Sequence, residues 1–168
     1  MANKDDNIGR FDVTLLINGL PLVQIELKKP GVEIDAAFKQ IMHYKERGYY
    51  RGLFNFIQLF VVSNEQKTKY FCNNDGEILN SNMFTWTDKK NNYIHFLYDF
   101  EESFLFCPFV FHMIFNYMIV SERQKKLFVM RPYQIYALEA LKDRYQKNQN
   151  GYCFHSTGSG KTLSHSLK

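Results

Sequence analysis

The stretch LVQIELK, residues 22–28, alternates strictly: Val23, Ile25 and Leu27 are apolar, while Gln24, Glu26 and Lys28 are polar. Successive strand residues point to opposite sides, so this run reads as a strand with one apolar face. Its neighbours are fixed by local signals. Upstream, FDVTLLI also alternates, and Asn18-Gly19 between the two runs is a turn signal. Downstream, Pro30-Gly31 breaks the strand. VEIDAAFKQIMHYKERG then carries Ile34, Ala37, Phe38 and Ile41 on one helical stripe, with Gly48 as its stop. A strand, a turn, a strand and a helix in that order open an α/β fold.

The rest of the chain extends this pattern. NFIQLFVVSN is a short, nearly continuous apolar run that suits a buried strand, and TKYFCN reads as its neighbour. In the region 76–100, which holds Trp86, YIHFLYDFEE reads as a short helix. A second helix is expected near 108–120, where Phe109, Val110, Met113, Ile114, Tyr117 and Met118 recur at helical spacing. The surrounding SFLFCPFVFHMIFNYMIV is about long enough to cross a bilayer. Pro108, His112 and Asn116 interrupt it, however, and polar groups inside lipid are costly, so it reads as a buried amphipathic helix and no membrane partner is expected. The polar start MANKDDNIGR has no apolar signal-peptide core. Cys72, Cys107 and Cys153 form neither a disulfide framework nor a zinc pattern, which suits a reducing cytoplasm. A formal charge of +4 permits a nucleic-acid partner without arguing for one.

The polar residues of the first hairpin carry chemistry. Two carboxylates, Asp12 and Glu26, can share a hard divalent cation. A lysine at 28, two residues after Glu26, shares its face, where it can orient water and stabilise charge on a phosphate. An E-x-K on an amphipathic strand is by itself also what a solvated face carries. The turn sets a geometric condition. With a plain two-residue loop at Asn18-Gly19, Asp12 would lie opposite Ile25 and the carboxylates would face opposite sides. A three-residue connection, for example a type I turn with Gly19 in a left-handed bulge position, or an equivalent bulge, brings them to one face. Gln40 and Tyr44, at i and i+4, share a face of the following helix; a surface glutamine beside a half-buried tyrosine would give the same spacing.

FDVTLLINGLPLVQIELKKPG resembles the nuclease core of the restriction (R) subunit of type I restriction–modification enzymes, within the PD-(D/E)xK nuclease superfamily. The resemblance implies that Asp12, Glu26 and Lys28 are catalytic and that Asp12, Glu26 and the carbonyl of Leu27 bind Mg2+. Gln40 and Tyr44 match the Q-x-x-x-Y motif of these nucleases, which implies a place beside the active site, near the DNA. It further implies a PD-(D/E)xK mixed sheet flanked by helices, lacking its first elements, and cleavage of double-stranded DNA together with the modification and specificity subunits. A DNA-binding or assembly module that keeps the fold without catalysis is the other reading, with Lys29, Lys39, Lys45, Arg47 and Arg51 as candidate contacts.

The end of the chain carries a second site. HSTGSGKT supplies Thr157, Gly158, Ser159, Gly160, Lys161 and Thr162: glycines let backbone N–H groups approach phosphate, lysine reaches the outer phosphates, and threonine can ligate magnesium. His155 stands where the strict motif has glycine, so the loop is a variant. GYCFH before it reads as a short strand, and RPYQIYALEALKDRYQKN as a helix with Pro132 at its start. Alone, TGSGKT is also a Gly/Ser-rich loop, and RPYQ a helix start with an incidental glutamine. The segment resembles the start of a superfamily-two helicase motor, which implies that Gln134 reads adenine and that ATP binds here in the full-length protein. The expected organisation is therefore a nuclease domain over 1–125, with SERQKK as its boundary, and the first elements of a RecA-like ATP-binding domain over 126–168. The chain reads as a fragment in which ATP binds weakly and residues 163–168 are frayed.

Overall fold

The computed structural model describes residues 10–74, 78–122, 125–154 and 156–157. His155 and the loop residues Gly158, Ser159, Gly160, Lys161 and Thr162, with the segment 163–168, lie outside the described residues.

β1 (Val13–Ile17) and β2 (Leu20–Leu27) form an antiparallel hairpin. Asn18 and Gly19 connect them with φ of 51° and 81°. Positive φ at both central residues is the two-residue turn whose twist matches the strands, and Asn-Gly adopts it at little steric cost. This corrects the expectation of a type I turn with Gly19 in a bulge. The register shift comes later: Leu16 pairs with Pro21, but Leu15 pairs with Val23, so Leu22 is the extra residue of a β-bulge. Pro21 accounts for its position, because proline has no N–H to give the ladder and is confined in sheets to edges, strand starts and bulges.

Pro30 and Gly31 then turn the chain. Gly31 has φ of 89°, and the Val32 N–H donates to the Lys29 carbonyl at 3.1 Å. Proline followed by a left-handed glycine is the composition of a type II turn. α1 (Ile34–Glu46) crosses over the sheet and leads through the 3-10 turn Gly52–Phe56 to β3 (Leu59–Ser63), parallel to β2. β4 (Thr68–Cys72) returns antiparallel to β3, giving the order β1-β2-β3-β4. Every residue of β3 is buried, as its unbroken apolar run requires.

Two apolar layers cover this mixed sheet. Ala37, Phe38 and Ile41 of α1 pack on Phe60, Val62 and Phe71 on one side. On the other, Val23, Ile25, Leu59, Val61 and Tyr70 meet Trp86, Phe100 and Phe104. The expected helix of 93–102 is more irregular. β5 (Trp86–Thr87) and β6 (Tyr93–Ile94) form a short antiparallel pair, and only then does α2 (Leu97–Phe100) begin, continuing as a π-helical turn over Glu101–Leu105. The aromatic cluster explains this departure, since the wider turn stacks Phe100 on Phe104, centroids 4.6 Å apart, with Trp86 edge-on at 5.1 Å.

α3 (Cys107–Asn116) is the second apolar helix, shorter than expected because Met118 starts β7 (Met118–Ser121), which pairs antiparallel with β8 (Lys126–Val129). No helix among the described residues is long and apolar enough to cross a membrane. α4 (Pro132–Gln146) follows. Its Ile135, with Val129 and Met130, belongs to the same core as Val23 and Trp86. Gly151–Phe154 takes no strand conformation, which corrects the strand expected there. Tyr152 and Phe154 are 86% and 90% exposed, and a strand needs a neighbour for its backbone groups.

Candidate active site

The bulge brings the first motif together. With Val13 opposite Ile25, one further step of the register sets Asp12 across from Glu26. On the next strand, Gln24 and Glu26 lie beside Phe60 and Val62, so their face is the one that α1 covers. The polar half of the LVQIELK alternation is therefore an interior face: Gln24 and Glu26 are fully buried. Gln24 is accommodated by the Thr14 hydroxyl, which donates to its side-chain oxygen at 2.6 Å.

Glu26 is held differently. Its Oε1 accepts from Lys28 Nζ at 2.9 Å, but its Oε2 is buried with no hydrogen-bond partner among the described groups. Burial pushes its pKa from the ordinary 4.5 up to about 7; the Lys28 ammonium pulls it down and the Asp12 carboxylate pushes it up again. Asp12 is exposed at the mouth, and its Oδ2 accepts from the Leu27 backbone N–H at 2.8 Å. Leu27 thus contributes its main chain to the site while its side chain packs in the opposite core. A cleft of about 420 Å³, lined by Arg10, Phe11, Asp12, Leu27, Lys28 and Lys29, opens here at the sheet edge.

The helix supplies the next layer. Lys28 Nζ also donates to Gln40 Oε1, Gln40 Nε2 donates to the Tyr44 hydroxyl at 2.7 Å, and that hydroxyl donates to the Arg10 carbonyl at 3.0 Å. Glu26, Lys28, Gln40, Tyr44 and the chain just before Asp12 therefore form one hydrogen-bonded line. A hard divalent cation suits these donors: two carboxylates from adjacent strands, with one carboxylate oxygen desolvated and unpartnered.

Tyr50 is a neighbour that reading the sequence missed. Its ring stacks on Phe11 at 5.1 Å and packs against Phe60 at 5.2 Å. An aromatic just past a helix-ending glycine gives no period or motif by which to find it. Of the five candidate DNA contacts, Lys45 is half-buried and donates to the Asn74 carbonyl, whereas Lys29, Lys39, Arg47 and Arg51 are exposed, Arg51 donating to the Gly48 carbonyl.

Of the second motif, Gln134 and Thr157 lie among the described residues. Gln134 is buried in the first turn of α4, and its Oε1 accepts from the Arg131 N–H at 2.8 Å, an N-terminal cap. Thr157 is exposed in a turn.

Residues 1–78 match the family model of the type I restriction enzyme R protein N terminus, and residues 127–165 that of the type III restriction enzyme res subunit. The chain is similar to the type I restriction enzyme SauCOLORF180P endonuclease subunit of Staphylococcus aureus (strain COL), 51% identical over 161 residues, 95% of this chain and 17% of the relative. The SsaAORF53P endonuclease subunit of Staphylococcus saprophyticus is 54% identical over 155 residues, covering 92% and 17%. The EcoprrI endonuclease subunit of Escherichia coli is 45% identical over 136 residues, covering 79% and 43%. The chain thus spans about a sixth of the length of the staphylococcal relatives.

Proposed function

The chain belongs to the type I restriction enzyme R-protein family, and from that premise we propose that its hairpin and first helix form a PD-(D/E)xK nuclease site that cleaves phosphodiesters of double-stranded DNA. The observation that carries this reading is the convergence of Asp12, Glu26 and Lys28 on one sheet face, with the Glu26 Oε2 buried and unpartnered. Asp12, Glu26 and the Leu27 carbonyl would hold Mg2+, which when bound supplies Lewis acidity and a water of lowered pKa. Lys28, side chain 21% exposed, stands between the buried carboxylate and the cleft. From there its ammonium orients the attacking water and stabilises negative charge that develops on the phosphate. Gln40 and Tyr44 keep Lys28 in place, since a flexible ammonium with a single partner would sample other rotamers.

Residues 126–168 are assigned as the start of a RecA-like ATP-binding motor, with Gln134, Thr157, Gly158, Ser159, Gly160, Lys161 and Thr162 as its nucleotide contacts. The match of residues 127–165 supports that assignment. In a full-length protein the motor would draw DNA past the nuclease, in complex with modification and specificity subunits, in the cytoplasm.

Incubating the chain with supercoiled plasmid and magnesium tests the nuclease reading. Nicking that disappears on chelation and in Asp12→Ala is expected. DNA binding without nicking, unchanged in Asp12→Ala, would instead identify a module that keeps the fold for DNA binding or assembly alone.

A further inference from the structure

Tyr50 leaves α1 just after Gly48 and lies over the sheet on the same side as Glu26. Three contacts place it there. Phe11, the residue before Asp12, stacks on its ring at 5.1 Å with planes 9° apart. Phe60, the β3 partner of Gln24, packs at 5.2 Å. Phe11 also meets Tyr44 edge-on at 5.6 Å, so Tyr50 and the Q-x-x-x-Y tyrosine flank one ring. Fixed by aromatic contacts on two sides, the Tyr50 ring has little freedom to turn its hydroxyl elsewhere.

That hydroxyl is buried and has no hydrogen-bond partner among the described groups. The other unpartnered oxygen of this face is Glu26 Oε2. A third such atom, the Thr87 hydroxyl, lies in the short β5 strand on the other side of the sheet. Burial raises the Tyr50 pKa well above its usual range, and the charges of Glu26 and then Tyr44 raise it further, so the hydroxyl is a neutral O–H donor that senses the Glu26 carboxylate. Buried polar atoms in folded proteins are nearly always satisfied by protein or by ordered water. A donor and an acceptor left over on the same side of the sheet are the partners that a single bridging water needs.

We propose that Tyr50 is a positioning residue of this site, its hydroxyl donating to a water that in turn donates to Glu26 Oε2. The bridge would fix the orientation of the Glu26 carboxylate. Its contribution to cation binding rests on the nuclease reading above; the bridge itself does not.

Two measurements on the 168-residue chain test it. The first is a high-resolution crystal structure without metal, of the wild type and of Tyr50→Phe. A water within hydrogen-bond distance of both Tyr50 Oη and Glu26 Oε2, lost in the variant, is expected; a Tyr50 hydroxyl bonded to another group, or no shared water, overturns the proposal. The second is Mn2+ binding followed by electron paramagnetic resonance. Tyr50→Phe keeps the ring contacts and should weaken binding about 3- to 10-fold with an unchanged melting temperature, because only the hydroxyl is removed. Equal affinity in variant and wild type would overturn the positioning role. If the wild type binds no Mn2+, the cation reading fails, while the crystal structures still decide the bridge.

Discussion

A carboxylate that is fully buried, with one oxygen unpartnered, is a poor way to stabilise a fold. Glu26 sits in this state because the strand alternation turns it inward, beneath α1. Its folded pKa of about 7 lies above its ordinary 4.5, so between these values the folded chain holds a proton that the unfolded chain has released. Stability contributed by this group is therefore fully present below pH 4.5 and is lost as pH rises through 7. At 1.36 kcal/mol per unit the loss is on the order of 3 kcal/mol. Glu26→Gln should remove that dependence: in metal-free urea unfolding at pH 8 the variant should be more stable than wild type, and at pH 5 the two should converge. Parallel curves at both pH values would show that Glu26 does not carry the cost. The pairing of Glu26 with Lys28 and of Gln40 with Tyr44 was legible in the sequence, because strand period 2 and helix spacing i, i+4 say which side chains share a face; Asp12 came from the family resemblance and needed a bulge to join them. Tyr50 was not legible, since its place depends on the rings of Phe11 and Phe60, which meet only in three dimensions.

At the scale of the element, the bulge at Leu22 decides whether a site exists. The Asn18-Gly19 turn alone would set Asp12 against Ile25, on the wrong side of the sheet, and one extra residue in β2 reverses this. That some device was required could be read from the sequence; which device could not, although Pro21 was its local signal. Deleting Thr14, which lies between the bulge and Asp12, should move Asp12 one step along β2 to face Ile25, while β2 keeps its parallel pairing with β3. Nicking should then be lost with the chain still folded, as judged by circular dichroism; retained activity would mean that Asp12 reaches Glu26 by another path. The strands β1 to β4 and α1 were legible for a related reason, since each carries its own period. β5 and β6, of two residues each, and the π-helical turn were not, because they follow from packing around Trp86 rather than from local pattern.

Across the whole molecule, the sheet divides two functions of burial. One side, under α1, mixes an apolar cluster with the polar line from Glu26 to Tyr44; the other is an aromatic core. That core continues past residue 125. The Tyr70 hydroxyl donates to the Met130 carbonyl at 3.3 Å, and Asn74 both donates to the Leu127 carbonyl at 2.8 Å and accepts from its N–H at 2.5 Å. The boundary placed at SERQKK therefore separates stretches that pack together. Phe104 touches both sides of this core through Tyr70 and Trp86, at 4.7 and 5.1 Å. Phe104→Ala should cost about 3–5 kcal/mol of unfolding free energy in denaturant titration; a loss under 1 kcal/mol would mean that the π-helical turn is not anchored there. The bulged hairpin and α1 are proposed to build one cation site. Soaking crystals of the chain in Mn2+ and collecting anomalous data tests this most directly. The expected result is a single strong peak within ligand distance of both Asp12 and Glu26, absent in Asp12→Ala; a wild-type map with no peak there, or with Asp12 and Glu26 on opposite sides of the sheet, would contradict it.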